Sequence, residues 1–337
     1  MDAIVAALAR FPVARVAHAP TPLELLPRLS ERLGLELWVK RDDLTGMAFG
    51  GNKARQLEWY FGEAQAMDAD CVLLTSAVQS NYMRMTAAIA RRFGMEPFLQ
   101  LEERAPIVDA LYRKNGNVLL DRLVGAQFSS YPVGDDEAGA DAAVLERAAA
   151  LREEGRTPYV IPLAASAPPL GGLGYVEAAL EIVGRAPAFD EIVISSGSAL
   201  THSGLLVGLR AAGDDTPVLG ACVRRDATAQ TGRVRQRSAD LEDLMGLPHQ
   251  VDVADVRLDD AALAPGYGQL NPATQAAIRL TAEMEGLFLD PVYTGKAMAT
   301  LIANRARYAG KRVLFWHTGG QPALFAYGER LFEPTSA

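Results

Sequence analysis

Lys53 stands where a glycine pair meets a helical pattern, in the run Gly50-Gly51-Asn52-Lys53-Ala54-Arg55-Gln56-Leu57-Glu58. Glycine lets the backbone adopt unusual dihedrals and approach a ligand closely. A lysine placed there is either an ordinary surface cation or a nucleophile, and the rest of the chain decides. A second stretch, Thr75-Ser76-Ala77-Val78-Gln79-Ser80-Asn81-Tyr82, follows a strand-like run and opens a helical one. Ser80 and Asn81 there either cap the helix, or its free N–H groups and positive dipole end hold an anion such as a substrate carboxylate. A third, Ser195-Ser196-Gly197-Ser198-Ala199-Leu200-Thr201-His202-Ser203-Gly204, is a small-residue loop between strand and helix. It is a plain turn, or a nest of N–H groups and hydroxyls for one compact phosphate. It lacks the Gly-Lys-Ser/Thr of an ATP loop and the spacing of a dinucleotide fingerprint.

Two tyrosines lie in Gly/Pro loops, Tyr267 in Pro265-Gly266-Tyr267-Gly268 and Tyr293 in Asp290-Pro291-Val292-Tyr293-Thr294-Gly295. Each packs, donates a proton or stacks on a ring. His317, in Trp316-His317-Thr318-Gly319-Gly320, is a base or is satisfied by local hydrogen bonds; no catalytic-triad order or metal spacing surrounds it. A lysine together with a phosphate cradle matches the needs of an aldehyde cofactor bearing one phosphate. Pyridoxal 5′-phosphate (PLP) links to lysine and acts as an electron sink.

An α/β rhythm must position these groups. Strands are expected at 37–40, 71–75, 97–101, 126–128, 159–162, 191–194, 218–223 and 312–316. Helical patterns fall at 53–65, 80–93, 117–123, 138–153, 174–183, 203–212, 227–244, 275–285 and 296–309. Strand–helix–strand alternation at this spacing means parallel strands joined by crossover helices. Pro12, Pro20, Pro22 and Pro27 mark residues 10–30 as an extended arm. Two lobes are expected: 1–55 with 165–337, and 56–164.

Bulk properties narrow the partners. A net charge of -8 over 337 residues leaves no basic surplus for nucleic acid or an anionic membrane. Arg224-Arg225 and the run from Arg233 to Arg237 read as solvated basic faces. Cys71 and Cys222 lie in apolar runs without metal-ligand spacing, as expected of buried reduced thiols. The N-terminus lacks the pattern of a signal peptide, and no apolar run approaches the ~18 residues of a membrane span. A cytoplasmic location without membrane attachment is the expectation, and no metal site is visible.

The chain resembles the D-cysteine desulfhydrase and 1-aminocyclopropane-1-carboxylate (ACC) deaminase family of PLP enzymes. The resemblance rests on Lys40-Arg41-Asp42-Asp43, Gly50-Gly51-Asn52-Lys53, Gln79-Ser80-Asn81, Ser196-Gly197-Ser198, Asp290-Pro291-Val292-Tyr293 and His317-Thr318-Gly319-Gly320. It implies the two-lobed fold of the tryptophan synthase β type (fold type II), with mostly parallel open sheets and flanking helices. It implies that Lys53 carries the cofactor and that Asn81 bonds its 3′-oxygen. Gly197, Ser198, Ala199, Leu200 and Thr201 would hold the phosphate. Ser80, with the N–H groups of Gln79 to Tyr82, would hold the substrate carboxylate. Tyr293 and Tyr267 would flank the substrate and assist proton transfer.

Thr294 and Thr318, where ACC deaminases carry glutamate and leucine, imply a hydroxyl beside the cofactor ring and the desulfhydrase branch, which includes L-cysteate sulfo-lyases. Tyr82 stands where that branch has histidine, and Leu200 where it has glycine. The implied reaction is β-elimination on a small amino acid, D-cysteine first. ACC deamination, cysteate or other amino-acid deamination, and racemisation are the alternatives. A homodimer is implied as well.

Overall fold

The computed structural model describes residues 1–134, 136–163, 167–185 and 187–333. Continuous apolar runs such as Cys71-Val72-Leu73-Leu74 and Ile192-Val193-Ile194 suit strands buried on both faces. Among the described residues the strands are β1 (Leu23–Leu25), β2 (Glu36–Lys40), β3 (Cys71–Ala77), β4 (Glu96–Glu102), β5 (Gln127–Tyr131), β6 (Pro158–Val160), β7 (Glu191–Ser196), β8 (Val218–Cys222), β9 (Arg257–Asp259) and β10 (Arg312–Trp316). They form one sheet in the order β1-β2-β10-β7-β8-β9 and another in the order β5-β4-β3-β6. Only β1 runs antiparallel to its neighbour. Helices cover both sheets. Every residue of β3 is buried, and Val313, Leu314 and Phe315 of β10 are fully enclosed.

Parallel strands place their carboxyl ends on one side, where ligands of open α/β sheets bind. Three of the stretches singled out above follow adjacent strands: β2 leads to Gly50-Gly51, β10 to Thr318-Gly319 and β7 to Gly197. Asn52 N–H donates to the Thr318 carbonyl at 3.0 Å, stitching the first two together. Close backbone approach requires glycine here. A Cβ on Gly319 would stand 2.6 Å from the Gly51 Cα, and both residues have positive φ, 84° and 124°.

Beneath this junction lies a buried knot of charge. The Asp42 carboxylate accepts hydrogen bonds from Thr21, Arg55, Tyr175 and Trp316 at 2.6 to 3.1 Å. Lys40 pairs with Glu181 at 2.5 Å, and Arg55 joins Glu181 at 2.6 Å. Lys40, Asp42 and Arg55 are each no more than 3% exposed. The Lys40-Arg41-Asp42-Asp43 motif thus anchors the Gly-Gly loop from below: Gly51 N–H donates to the Asp42 carbonyl at 3.0 Å.

The arm expected at residues 10–30 is less extended than its prolines suggested. It contains β1 and a helix, Pro27–Leu33, whose proline occupies the first helical turn, where no N–H is needed. The single helix expected at 296–309 ends at Ala303 and is followed by a 3-10 turn, Arg305–Tyr308. A helix over Asp2–Leu8 and the short β9 had no expectation. Cys71 and Cys222 are free and buried. Among the described residues no helix is long and apolar enough to cross a membrane, and no cluster of His, Cys, Asp or Glu suits a metal ion.

Candidate active site

A cleft of about 940 Å³, its open mouth included, lies at the carboxyl ends of the two sheets. Lys53 enters it from the first turn of the helix Asn52–Ala66. Its Nζ donates to the Gln56 side-chain oxygen at 3.0 Å and lies 5.0 Å from the centre of the Tyr82 ring. No carboxylate pairs with it in the structure's ion pairs among the described residues. Burial without a compensating anion pushes its pKa down to about 8. Part of the lysine population is therefore neutral, and nucleophilic, near physiological pH.

The opposite wall begins with the helix Asn81–Arg92. Ser80 caps it, its hydroxyl accepting from the N–H groups of Tyr82 and Met83 at 3.2 and 3.3 Å. Ser80 also lines the cleft, so capping and a cleft-facing helix start coexist. Asn81 is held from behind. Its Oδ1 accepts from Arg84 Nη1 at 2.7 Å and from Asn117 Nδ2 at 3.0 Å. With the oxygen occupied twice, the Nδ2 donors of Asn81 remain for the cleft. Arg84 is fully buried, and it also donates to the Gly50 carbonyl at 3.0 Å. One guanidinium thus ties Asn81 to the loop that carries Lys53.

The third wall is the loop from Gly197 to Thr201, all of which lines the cleft. Ala199 adopts the left-handed conformation, with φ 78°, and the helix Leu200–Ala211 starts after it. No side chain caps that helix start, so its first N–H groups are left for a ligand. The Thr201 hydroxyl accepts from Asn52 Nδ2 at 2.9 Å and Gln56 Nε2 at 2.8 Å, which fixes the loop against the lysine-bearing helix. Between these walls the Ser195 and Thr318 hydroxyls lie 3.2 Å apart, both on the cleft. Tyr267 and Tyr293 complete it, their hydroxyls 2.7 Å apart. Burial and the neighbouring Tyr267 raise the Tyr293 pKa well above its ordinary value, so that phenol stays protonated.

The structure brings together Lys53, Ser80, Asn81, Tyr82, the Gly197–Thr201 loop, Tyr267, Tyr293 and Thr318. It does not bring Gln79 or Thr294 to the cleft. The Gln79 side chain turns away to donate to the Tyr112 and Asn115 carbonyls. Thr294 is fully buried and bonds the Asp290 carboxylate at 2.7 Å, capping the turn that presents Tyr293. Thr294 therefore offers no hydroxyl to the cleft, whereas Ser195 and Thr318 do. His317 follows its structural alternative: Nδ1 accepts from Gly319 N–H, and Nε2 meets the Phe288 carbonyl, both at 3.1 Å.

Sequence reading missed Asn52, Gln56, Ser76, Ser195 and a group of arginines. Arg224 and Arg233 are not solvated faces but turn onto the cleft, each with a side chain only 14% exposed. Helical spacing carried a signal for Asn52 and Gln56, which lie one turn apart beside Lys53. Nothing local marked the arginines, because Glu137, which gathers them, is distant in sequence.

These walls fit PLP. An uncapped helix start behind Ala199 suits the phosphate, the Asn81 amide suits a ring oxygen, and Lys53 has no competing charge partner. The pyridoxal-phosphate dependent enzyme family matches residues 14–319. D-cysteine desulfhydrases of Salmonella choleraesuis and Salmonella typhi are each 42% identical over 326 residues, covering 95% of this chain and 97% of theirs. A crystal structure of an ACC deaminase homologue superimposes with a TM-score of 0.89 at 36% identity, covering 98% of this chain and 99% of that one. The processed form of threonine deaminase isoform 2 from Solanum lycopersicum shares the fold at 17% identity, with a TM-score of 0.64, covering 94% of this chain and 88% of that one.

Proposed function

The chain belongs to the pyridoxal-phosphate dependent enzymes, in the family of D-cysteine desulfhydrases and ACC deaminases, and from that premise we propose that it eliminates the β-substituent of a small amino acid, converting D-cysteine to pyruvate, sulfide and ammonia. The observation that carries this reading is Lys53, a cation without a carboxylate partner, facing an uncapped helix start across one cleft.

Bound PLP links covalently to a lysine and withdraws electrons from the substrate carbon that bears the amine. Lys53 is the proposed anchor. Gly197, Ser198, Ala199, Leu200 and Thr201 would hold the phosphate through backbone N–H groups, Asn81 would donate to the ring oxygen, and Thr318 with Ser195 would offer hydroxyls to the ring nitrogen. A hydroxyl, unlike a carboxylate, leaves that nitrogen neutral, which suffices for expelling a good leaving group such as thiolate.

Ser80 and the helix start behind it bind the substrate carboxylate. Lys53 Nζ takes the Cα proton. The Tyr267–Tyr293 pair delivers a proton to the leaving sulfur, a role supported by the 2.7 Å contact of the two hydroxyls. Acid–base assistance of this kind contributes roughly a hundred- to ten-thousand-fold. The supports for these roles are cleft membership, hydrogen-bond partners and the depressed Lys53 pKa of about 8.

We propose in addition that residues 1–55 with 165–337 form one lobe and 56–164 the other. The separate membership of the two sheets supports this division. A cytoplasmic homodimer is the further reading, supported by two free cysteines and by exposed apolar side chains such as Phe49 and Phe325. Light scattering on the eluted protein tests the dimer. Activity is tested on a panel of D- and L-cysteine, ACC and other small amino acids, following keto acid and sulfide. Pyruvate with stoichiometric sulfide from D-cysteine supports the reading. 2-Oxobutyrate from ACC, or loss of Cα chirality without any keto acid, overturns it.

A further inference from the structure

Beside the tyrosine pair the cleft opens into a second hollow bordered by Arg104, Arg224, Arg225, Arg233 and Tyr267. Arg104, Arg224 and Arg233 line the first cleft as well. Their side chains are between 8% and 14% exposed, so these are walls and not a solvated face. Three of the guanidiniums converge on one carboxylate. Arg224, Arg225 and Arg233 reach Glu137 at 2.6, 2.5 and 3.2 Å. Arg104 is paired with Glu102 at 2.7 Å. Among the described residues these four cations are ion-paired to two anions, within a chain whose net charge is -8.

Packing like charges together at low exposure is unfavourable unless an anion compensates. Arg224 and Arg225 show the cost: burial first, and then neighbouring guanidiniums, lower both from the ordinary arginine value. The group also divides in two. Arg225 and Arg233 donate to the Gly197 and Ser198 carbonyls at 3.3 Å, on the side of the phosphate loop. Arg104 and Arg224 are instead the two that interact electrostatically with the Tyr267 phenol, and both border the two hollows. Glu137 itself begins the helix Glu137–Glu153 on the four-stranded-sheet side, whereas Arg224, Arg225 and Arg233 follow β8 of the other sheet. It bridges the mouth from the opposite wall.

We propose that Arg104 and Arg224 form a subsite for an oxyanion at the far end of the substrate's β-substituent, and that Glu137 is the resident carboxylate such a group displaces. The substrate class is then a β-substituted amino acid whose substituent is longer than a thiol and ends in a carboxylate or a comparable oxyanion. Its conversion rests on the elimination reading above: the Cα proton passes to Lys53 Nζ, and the bond from Cβ to the heteroatom breaks. The electron pair leaves on that heteroatom, and water turns the released enamine into pyruvate and ammonium. Binding in the subsite does not depend on that chemistry.

The test uses holoenzyme and an isosteric pair, S-carboxymethyl-D-cysteine and its uncharged carboxamide. Dissociation constants are read from the visible absorbance change of the bound cofactor, and turnover from pyruvate. The wild type is expected to bind the carboxylate at least about tenfold more tightly than the amide. Arg224→Met is expected to abolish that preference, and Glu137→Gln to increase it. The two variants move the ratio in opposite directions, which a simple clamp across the mouth would not produce. Equal affinity for the pair in the wild type, or a ratio that neither variant changes, overturns the subsite. A preserved preference without pyruvate from either compound or from D-cysteine would sink the elimination reading and leave the subsite standing.

Discussion

Two residues of one helix turn, Lys53 and Arg55, enter opposite environments. Side chains two apart on a helix do not share a face. Arg55 joins the knot of Lys40, Asp42 and Glu181, in which two cations meet two carboxylates and Thr21, Tyr175 and Trp316 supply further hydrogen bonds. Lys53 enters the cleft and meets a neutral amide and an aromatic face. Both regions remove charge from bulk water. In the knot every formal charge has a partner, so nothing is left to bind a ligand. In the cleft the lysine amine, the Asn81 amide and the helix start before Leu200 retain unused capacity, which makes the region a site. Lys53 is half-buried and Lys40, Asp42 and Arg55 are enclosed, but what decides between the regions is pairing.

The largest expected effect falls on the cleft. Lys53→Ala should lower elimination by at least about ten-thousand-fold, the upper range for losing an acid–base group, and remove the visible absorbance of the bound cofactor. Its far-ultraviolet circular dichroism should match the wild type. The knot should respond in the opposite way. Asp42→Ala leaves Arg55 buried without its carboxylate and should cost about 3–5 kcal/mol of stability, measured by urea denaturation, before it costs chemistry. If Asp42→Ala abolished turnover in a protein of unchanged stability, the division between the two regions would fail.

Arg84 tests the boundary between them, since it is buried like the knot but serves the cleft. Arg84→Met frees the Asn81 amide to rotate and should reduce kcat/KM by about a hundredfold, the scale of a small misplacement of a reacting group. Titration sharpens the same contrast. The unfolded chain holds the Lys53 proton up to 10.5, whereas the folded, cofactor-free chain sheds it near 8. Between those values the unfolded state binds more protons, so stability rises with pH across the window. Lys296, likewise lowered to about 8 by burial, makes the same contribution. Lys53→Met should therefore flatten part of the rise in the urea midpoint from pH 8 to 10.5 and leave the Lys296 share. The smallest effect on turnover is expected from Thr294→Val, which removes two hydrogen bonds, one to the Asp290 carboxylate and one from the Asp290 N–H, and should cost about 1–3 kcal/mol of stability, with kcat for D-cysteine within about twofold of the wild type.

Much of this contrast was legible in the sequence. Apolar runs and helical spacing gave the parallel strands, and the Gly-Gly, Ser-Asn and Gly197–Thr201 stretches lay where strands end. The Gly-Gly-Asn setting and the resemblance singled out Lys53, but what neutralises Lys40 is Glu181, remote in the chain and close in space, which no local pattern shows. The same limit explains Thr294: a threonine beside a site tyrosine reads as a site residue until Asp290 is seen to hold it. Arg224 and Arg233 read as solvent-facing because a run of arginines usually is. Glu137, far upstream, turns them inward. Local pattern reveals which groups carry chemistry, but whether a charge is free is decided by long-range pairing.

Of the three lysines whose pKa burial lowers, Lys40, Lys53 and Lys296, Lys53 is the proposed carrier of the cofactor. Borohydride reduction of the holoenzyme fixes the cofactor to whichever lysine bears it, and peptide mass spectrometry then reads the position. The added mass is expected on the peptide containing Lys53 and on neither of those containing Lys40 or Lys296. Label on either of the other lysines, or on no lysine in a protein that retains its visible absorbance, would contradict that assignment.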